Sequence, residues 1–123
     1  MPAVAEPVDT VFKALADPTR RQVLERLSHS PASVSQLAEP FNMALPSFVE
    51  HLRVLEGSGL VQSRKSGRVR TYELSRERLT LVDDWLERQR RLWERRLDQL
   101  DDYVTRLKKL KEQNRDASNS VQD

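Results

Sequence analysis

Six cationic side chains, Arg64, Lys65, Arg68, Arg70, Arg76 and Arg78, fall within fifteen residues of one another, a density that draws a polyanion. Upstream, Ser47, Glu50, His51 and Arg53 share one arc if this stretch is helical, and each can reach base edges or phosphates. Each also has a purely structural reading. Ser47 can start the helix, Glu50 can pair with Arg53, and His51 can pack against a hairpin as a neutral ring. A carboxylate facing DNA repels phosphate, so Glu50 is useful there mainly as an acceptor for cytosine N4. Ser33 and Gln36 offer hydroxyl, amide and backbone N–H groups to phosphate, or simply cap a helix. No enzyme is expected: there is no Gly-rich phosphate loop, and Asp83, Asp84, Glu87 and Glu94 alternate with arginines as helix-surface pairs do. No catalytic residue and no cofactor are assigned.

Composition narrows the setting of this chemistry. The 123 residues amount to about one domain with appendages. Charged residues make up 33% and no apolar run approaches a membrane span. Cysteine is absent, which removes disulfides, thiol nucleophiles and every cysteine-containing zinc site. The start MPAVAEPVDT lacks a basic and apolar leader, so a cytoplasmic protein without membrane contact is expected. Net charge is +2, unevenly spread: −2 over Met1 to Thr19, +4 over Arg20 to Thr80, and zero from Leu81 onward. The middle of the chain is the polyanion-binding part.

The elements that must position these groups are legible from spacing. Val8, Val11, Phe12 and Leu15 form one apolar stripe on a short helix after Pro7. Asp17-Pro18 opens a second helix to about Leu27, and Ser33 caps a third over Val34 to Ala38. A break at Pro40 to Asn42 precedes a fourth, on which Leu45, Phe48, Leu52 and Leu55 face inward. Two short helices around a tight break suggest helix-turn-helix. Leu60 to Arg64 and Val69 to Leu74 read as a hairpin with Lys65 and Arg68 at its tip and Arg64 and Arg70 on its strands. The expected fold is mainly α with a two-stranded β wing. The fourth helix, about 45–56, would enter the major groove while the wing, 64–70, reaches the adjacent backbone or minor groove.

From Arg76 to Lys111 neither Gly nor Pro interrupts a stripe that includes Leu86, Trp93, Leu97, Leu100, Tyr103, Val104 and Leu107. Such a helix spans about 50 Å, against roughly 30 Å for the preceding globule, so part of the stripe needs other cover. A second copy is expected there, giving a homodimer. Gln89 and Arg96 interrupt the seam and leave a heterodimer open. The division expected is 1–78 for the DNA-binding part, 79–113 for the dimerising helix and 114–123 for a flexible tail. Trp85, Leu92 and Trp93 fill core volume along the seam, or alternatively admit a small apolar effector.

Three stretches together resemble one family. ADPTRRQVLERL (Ala16 to Leu27), SVSQLAEPFNMALPSFVEHLRVLEGSGLV (Ser33 to Val61) and KSGRVRTYEL (Lys65 to Leu74) are similar to the ArsR-type winged-helix transcriptional regulators. The resemblance covers about the first two-thirds of the chain. It implies a dimer built from the first helix, with Val8, Val11, Phe12 and Leu15, and from the last, binding an inverted repeat in a promoter, usually as a repressor, with the fourth helix and the wing on DNA. The long last helix resembles that of a non-metal subgroup.

Departures from the family pattern shape the expectation. Metal-sensing relatives carry cysteines where this chain has Ser33, Val34 and Ser35, or Asp and His pairs on the last helix, where it has Asp83, Asp84 and Glu87. The only histidines, His29 and His51, lie elsewhere, so no metal site is expected. Val49 replaces a common serine and Glu50 a frequently basic neighbour, so the operator cannot be carried over from relatives. A competing reading is a winged-helix module that contacts another protein through its long helix.

Overall fold

The computed structural model describes residues 4–121, and contains five helices and three strands in the order α1 (Pro7–Leu15), α2 (Pro18–Leu27), β1 (Ala32–Ser33), α3 (Val34–Ala38), α4 (Leu45–Gly57), β2 (Val61–Ser66), β3 (Val69–Leu74) and α5 (Leu79–Val121). Helix starts follow their local chemistry. The Asp17 side chain accepts the Arg20 backbone N–H at 3.2 Å, and Pro18 supplies the preset first helical position of α2. Ser33 and Gln36 form a reciprocal capping box on α3, at 3.3 and 2.9 Å. At the other end of α4, Gly59 adopts φ +80°, a left-handed conformation that lets the chain leave the helix for β2.

The sheet has three strands rather than the expected two, in the antiparallel order β1-β3-β2. Ala32 pairs with Tyr72 and Ser33 with Thr71. Two residues carry too little alternation for a strand to be read from sequence. The wing turn is also tighter than expected: β2 runs on to Ser66, which pairs with Val69, leaving Gly67-Arg68 as the loop. Gly67 has φ +63° at the first central position, as a two-residue turn of the mirror-image type II requires.

Two compact units divide the chain, residues 1–85 and 86–123. The first unit encloses the core: Val11, Ala14, Val23, Leu27, Ala32, Leu37, Phe48, Leu52, Leu55, Leu60, Val61 and Tyr72. The first turns of α5 belong here, because Leu79, Leu81 and Val82 pack against that core and Trp85 meets Phe12 edge-on at 5.3 Å. The division therefore falls after Trp85 rather than after residue 78. Trp85 has a packing role inside the unit. Leu45, expected inward, is 56% exposed because the first residue of α4 projects past the edge of the core.

The first helix also departs from expectation. Val8 and Val11 were assigned to an interface, yet both are buried within their own unit, at 4% and 0% exposure. A stripe at helical spacing looks the same whether it faces its own core or a partner. Only Phe12 and Leu15 on that stripe stay partly open.

The second unit is helix alone. Leu86, Trp93, Leu97, Leu100, Tyr103, Val104 and Leu107 are all exposed on it, as are Leu92 and Leu110. Ion pairs of Glu87 with Arg90 and Arg91 join its polar side. The tail expected from residue 114 is instead helical to Val121. Nothing after Glu112 is Gly or Pro, so the polar composition ends the apolar stripe without ending the helix. Residues 122 and 123 lie outside the described residues. No helix among the described residues is long and apolar enough to cross a membrane.

Candidate nucleic-acid interface

The fourth helix turns Phe48, Leu52 and Leu55 into the core. At about 100° per residue, the arc pointing directly away from them carries Pro46, Glu50, Arg53 and Gly57. Ser47 is exposed beside that arc. Glu50 Oε2 accepts from Arg53 Nη1 at 2.9 Å, and both side chains are mostly in solvent, at 60% and 74% exposure. Together with Arg20, Pro46, His51 and Val54, Ser47 and Glu50 line an open recess along the helix.

His51 does not sit on the outer arc. Its ring, 23% exposed, lies with Nδ1 3.1 Å from Arg20 Nη1 and 3.8 Å from Asp17 Oδ1. It packs against the start of α2 rather than the hairpin. Its Nδ1 edge is thereby engaged by the scaffold. Burial disfavours the charged Asp17 carboxylate, but the Arg20 backbone N–H, His51, the Thr19 backbone N–H and the Arg20 charge outweigh it and hold the carboxyl below its ordinary pKa. Arg20 was not singled out from sequence; its position after Asp17-Pro18 reads as ordinary helix surface. Its guanidinium also donates to Lys13 O and Ala14 O, each at 2.8 Å.

Ser33 and Gln36 are committed to each other in the α3 capping box. Their side chains therefore serve the helix start first, as the structural reading of these residues has it.

The wing carries charge on both faces. Arg64 alternates with Gln62 and Ser66 on one side and stands 3.6 Å from Glu73, while remaining 88% exposed. On the other side Arg70 Nη1 donates to Ser63 Oγ, which donates to Glu56 Oε1, each at 2.8 Å. Glu56 lies on the last turn of α4, so this chain fastens the wing to the helix. Neither Glu56 nor Ser63 stood out in sequence, because the link exists only once α4 and β2 pack. Beneath it, burial and the Glu56 carboxylate raise the Tyr72 phenol above its ordinary pKa, against opposing effects of Arg70 and a Ser63 hydrogen bond.

Lys65 and Arg68 are exposed, with no side-chain hydrogen bond or ion pair among the described residues. Lys65 pairs across the strands with Arg70. Like charges directly opposite are unfavourable in a sheet, and a polyanion beside the hairpin removes that repulsion.

Comparison with known proteins places this geometry. Residues 15–64 match a family described as a helix-turn-helix domain. The HTH-type transcriptional regulator Rv2034 of Mycobacterium tuberculosis is 39% identical over 80 residues, covering 65% of this chain and 75% of the relative. The transcriptional repressor SdpR of Bacillus subtilis is 32% identical over 79 residues, covering 64% of this chain and 88% of the relative. A crystal structure of an ArsR family transcriptional regulator, RHA00566, superposes with a TM-score of 0.71 at 53% identity, covering 76% of this chain and 97% of the other. The chain belongs to the ArsR family of transcriptional regulators.

For this ArsR-family regulator, the winged helix-turn-helix is therefore a DNA-binding module, and Ser47, Glu50 and Arg53 on α4 with Arg64, Lys65, Arg68 and Arg70 on the wing form its exposed polar surface. Beside it, a separate groove of about 340 Å³ is lined by Leu15, Arg21, Leu24, Leu60, Leu74 and Leu79 among others. Trp85, Leu92 and Trp93 are not part of its lining.

Proposed function

We propose that this ArsR-family protein is a homodimeric repressor that binds an inverted-repeat operator, with α4 in the major groove and the wing on the adjacent backbone or minor groove. The observation that carries the DNA contact is the pair Lys65 and Arg68, exposed at the wing and unpartnered among the described residues beside an exposed α4. Phosphate contacts fix register, and base contacts from α4 supply the sequence preference. Ser47, Glu50 and Arg53 are the base-facing set, and Arg64 and Arg70 grip the backbone. Ser33 and Gln36 contribute by fixing the start of α3 beside the wing.

Dimerisation is supported by the run of large apolar side chains exposed on the second unit, from Leu86 to Leu107. Such a stripe on an isolated helix is stable only when covered. We place the second copy along it. Repression is supported by the similarity to SdpR, which is named a transcriptional repressor. Metal sensing has no support in this chain: it has no cysteine, and of its two histidines His51 is engaged with Arg20 and Asp17. The groove below Leu60 and Leu74 is the place where a small apolar effector would enter.

The test is selection of duplexes from a random-sequence library by the purified protein at near-physiological salt, with sedimentation in parallel. An enriched inverted repeat bound by a dimer is the expected result. A folded dimer that enriches no sequence overturns sequence-specific regulation and favours a protein-contacting winged helix.

A further inference from the structure

We infer that Glu50 and Arg53 act as one base-reading unit, with the Glu50 carboxylate on a cytosine and the Arg53 guanidinium on a guanine of neighbouring base pairs. This rests on the proposed placement of α4 in the major groove. Of the four positions on the arc opposite the core, Pro46 and Gly57 carry no polar side chain, so Glu50 and Arg53 alone present hydrogen-bonding groups at its centre. They are joined at 2.9 Å and both remain mostly in solvent. An exposed pair of this kind contributes little to folding. Its use lies in what it offers outward.

The chemistry of the two groups limits what they read. A carboxylate accepts only, and in the major groove cytosine N4 is the exocyclic donor that carries no ring acceptor beside it, whereas adenine N6 is flanked by the N7 lone pair. Guanidinium donates only, and guanine alone presents two acceptors, O6 and N7, on one base edge. The i,i+3 offset separates the two Cα atoms by about 4.5 Å along the helix, and their joined side chains keep the two heads together, so the inference assigns them to neighbouring base pairs. Pairing also answers the objection to an acidic residue on this face. Arg53 offsets the Glu50 charge during approach to phosphate, and the cation keeps donors free for the guanine, since only Nη1 is engaged.

Ser47 Oγ is flanking and tolerant, because a hydroxyl donates or accepts. It adds contact without choosing a base. His51, whose Nδ1 accepts from Arg20, lies off this arc.

The experiment repeats the library selection with the full-length dimer carrying Glu50→Gln or Arg53→Gln. Both side chains are exposed, and circular dichroism with thermal melting verifies that each variant is folded. Wild-type protein is expected to enrich half-sites with adjacent cytosine and guanine. Glu50→Gln should move the cytosine position toward adenine, changing relative affinity between the two duplexes by about tenfold. Arg53→Gln should relax or switch the guanine position and leave the rest of the motif in place. An enriched inverted repeat that is identical for wild type and both variants overturns this inference while leaving the DNA-binding proposal standing. A wild-type motif without neighbouring cytosine and guanine overturns it equally. Failure of folded wild type to enrich any sequence overturns both.

Discussion

Arg20 Nη1 donates to His51 Nδ1 at 3.1 Å, and through that bond α2 holds α4. A guanidinium has no lone pair to offer, so Nδ1 is the acceptor in this bond. The same guanidinium donates to Lys13 O and Ala14 O. One side chain therefore ties the end of α1 to the middle of α4.

Arg20→Gln is expected to destabilise the fold by about 1–3 kcal/mol, the range for losing charge-assisted hydrogen bonds at a part-buried site. Urea unfolding measures it. His51→Ala should be less costly, and the double variant should cost less than the sum of the two because they share a bond. Strict additivity would show that the two residues do not support each other.

Replacing both Lys65 and Arg68 by alanine should weaken duplex binding across all sequences. The slope of log affinity against log salt should fall by roughly one for each cation removed from each half-site. Fluorescence anisotropy titrations between ~50 and ~200 mM salt read this slope. An unchanged slope would take the wing off the DNA.

On the second unit, Leu100→Asp or Leu107→Asp should weaken the proposed self-association, and DNA affinity should fall with it, because two linked half-sites bind far better than one. Both side chains are exposed and lie outside the unit that holds the core. The winged helix should therefore keep its own melting transition. Sedimentation of the variants as intact dimers would move the interface elsewhere.

The Asp17 carboxyl, with its pKa held below the ordinary value, contributes stability that is present above the unfolded-state pKa of about 3.9. That contribution is lost as pH falls through the lower folded-state pKa. Asp17→Asn keeps a capping oxygen and removes the titration. Between about pH 5 and pH 2 the wild-type unfolding free energy should decline more steeply than that of the variant. Parallel pH profiles would show that the charge of Asp17 carries no linkage.

Helix limits were readable in the sequence because caps and prolines mark them locally: Asp17-Pro18 and Ser33 stand where the spacing places them. What spacing does not carry is the identity of the surface a stripe meets. Val8 and Val11 show the periodicity of an interface and lie inside the unit. His51 has the chemistry of a base reader, yet Arg20, thirty-one residues away in sequence, engages it. The Glu56, Ser63 and Arg70 chain joins two elements whose contact no local pattern announces. The Glu50 and Arg53 ion pair, by contrast, is an i,i+3 neighbour relation, and so it was visible in the sequence.

Ser33 belongs to the sheet and to a helix at once: it pairs with Thr71 of the wing strand and caps α3. Anyone transplanting this hairpin onto a related scaffold to alter operator grip must bring Ala32 and Ser33 along with residues 61–74. A graft cut at Leu60 alone would leave Tyr72 and Thr71 without their edge strand and α3 without the residue that starts it.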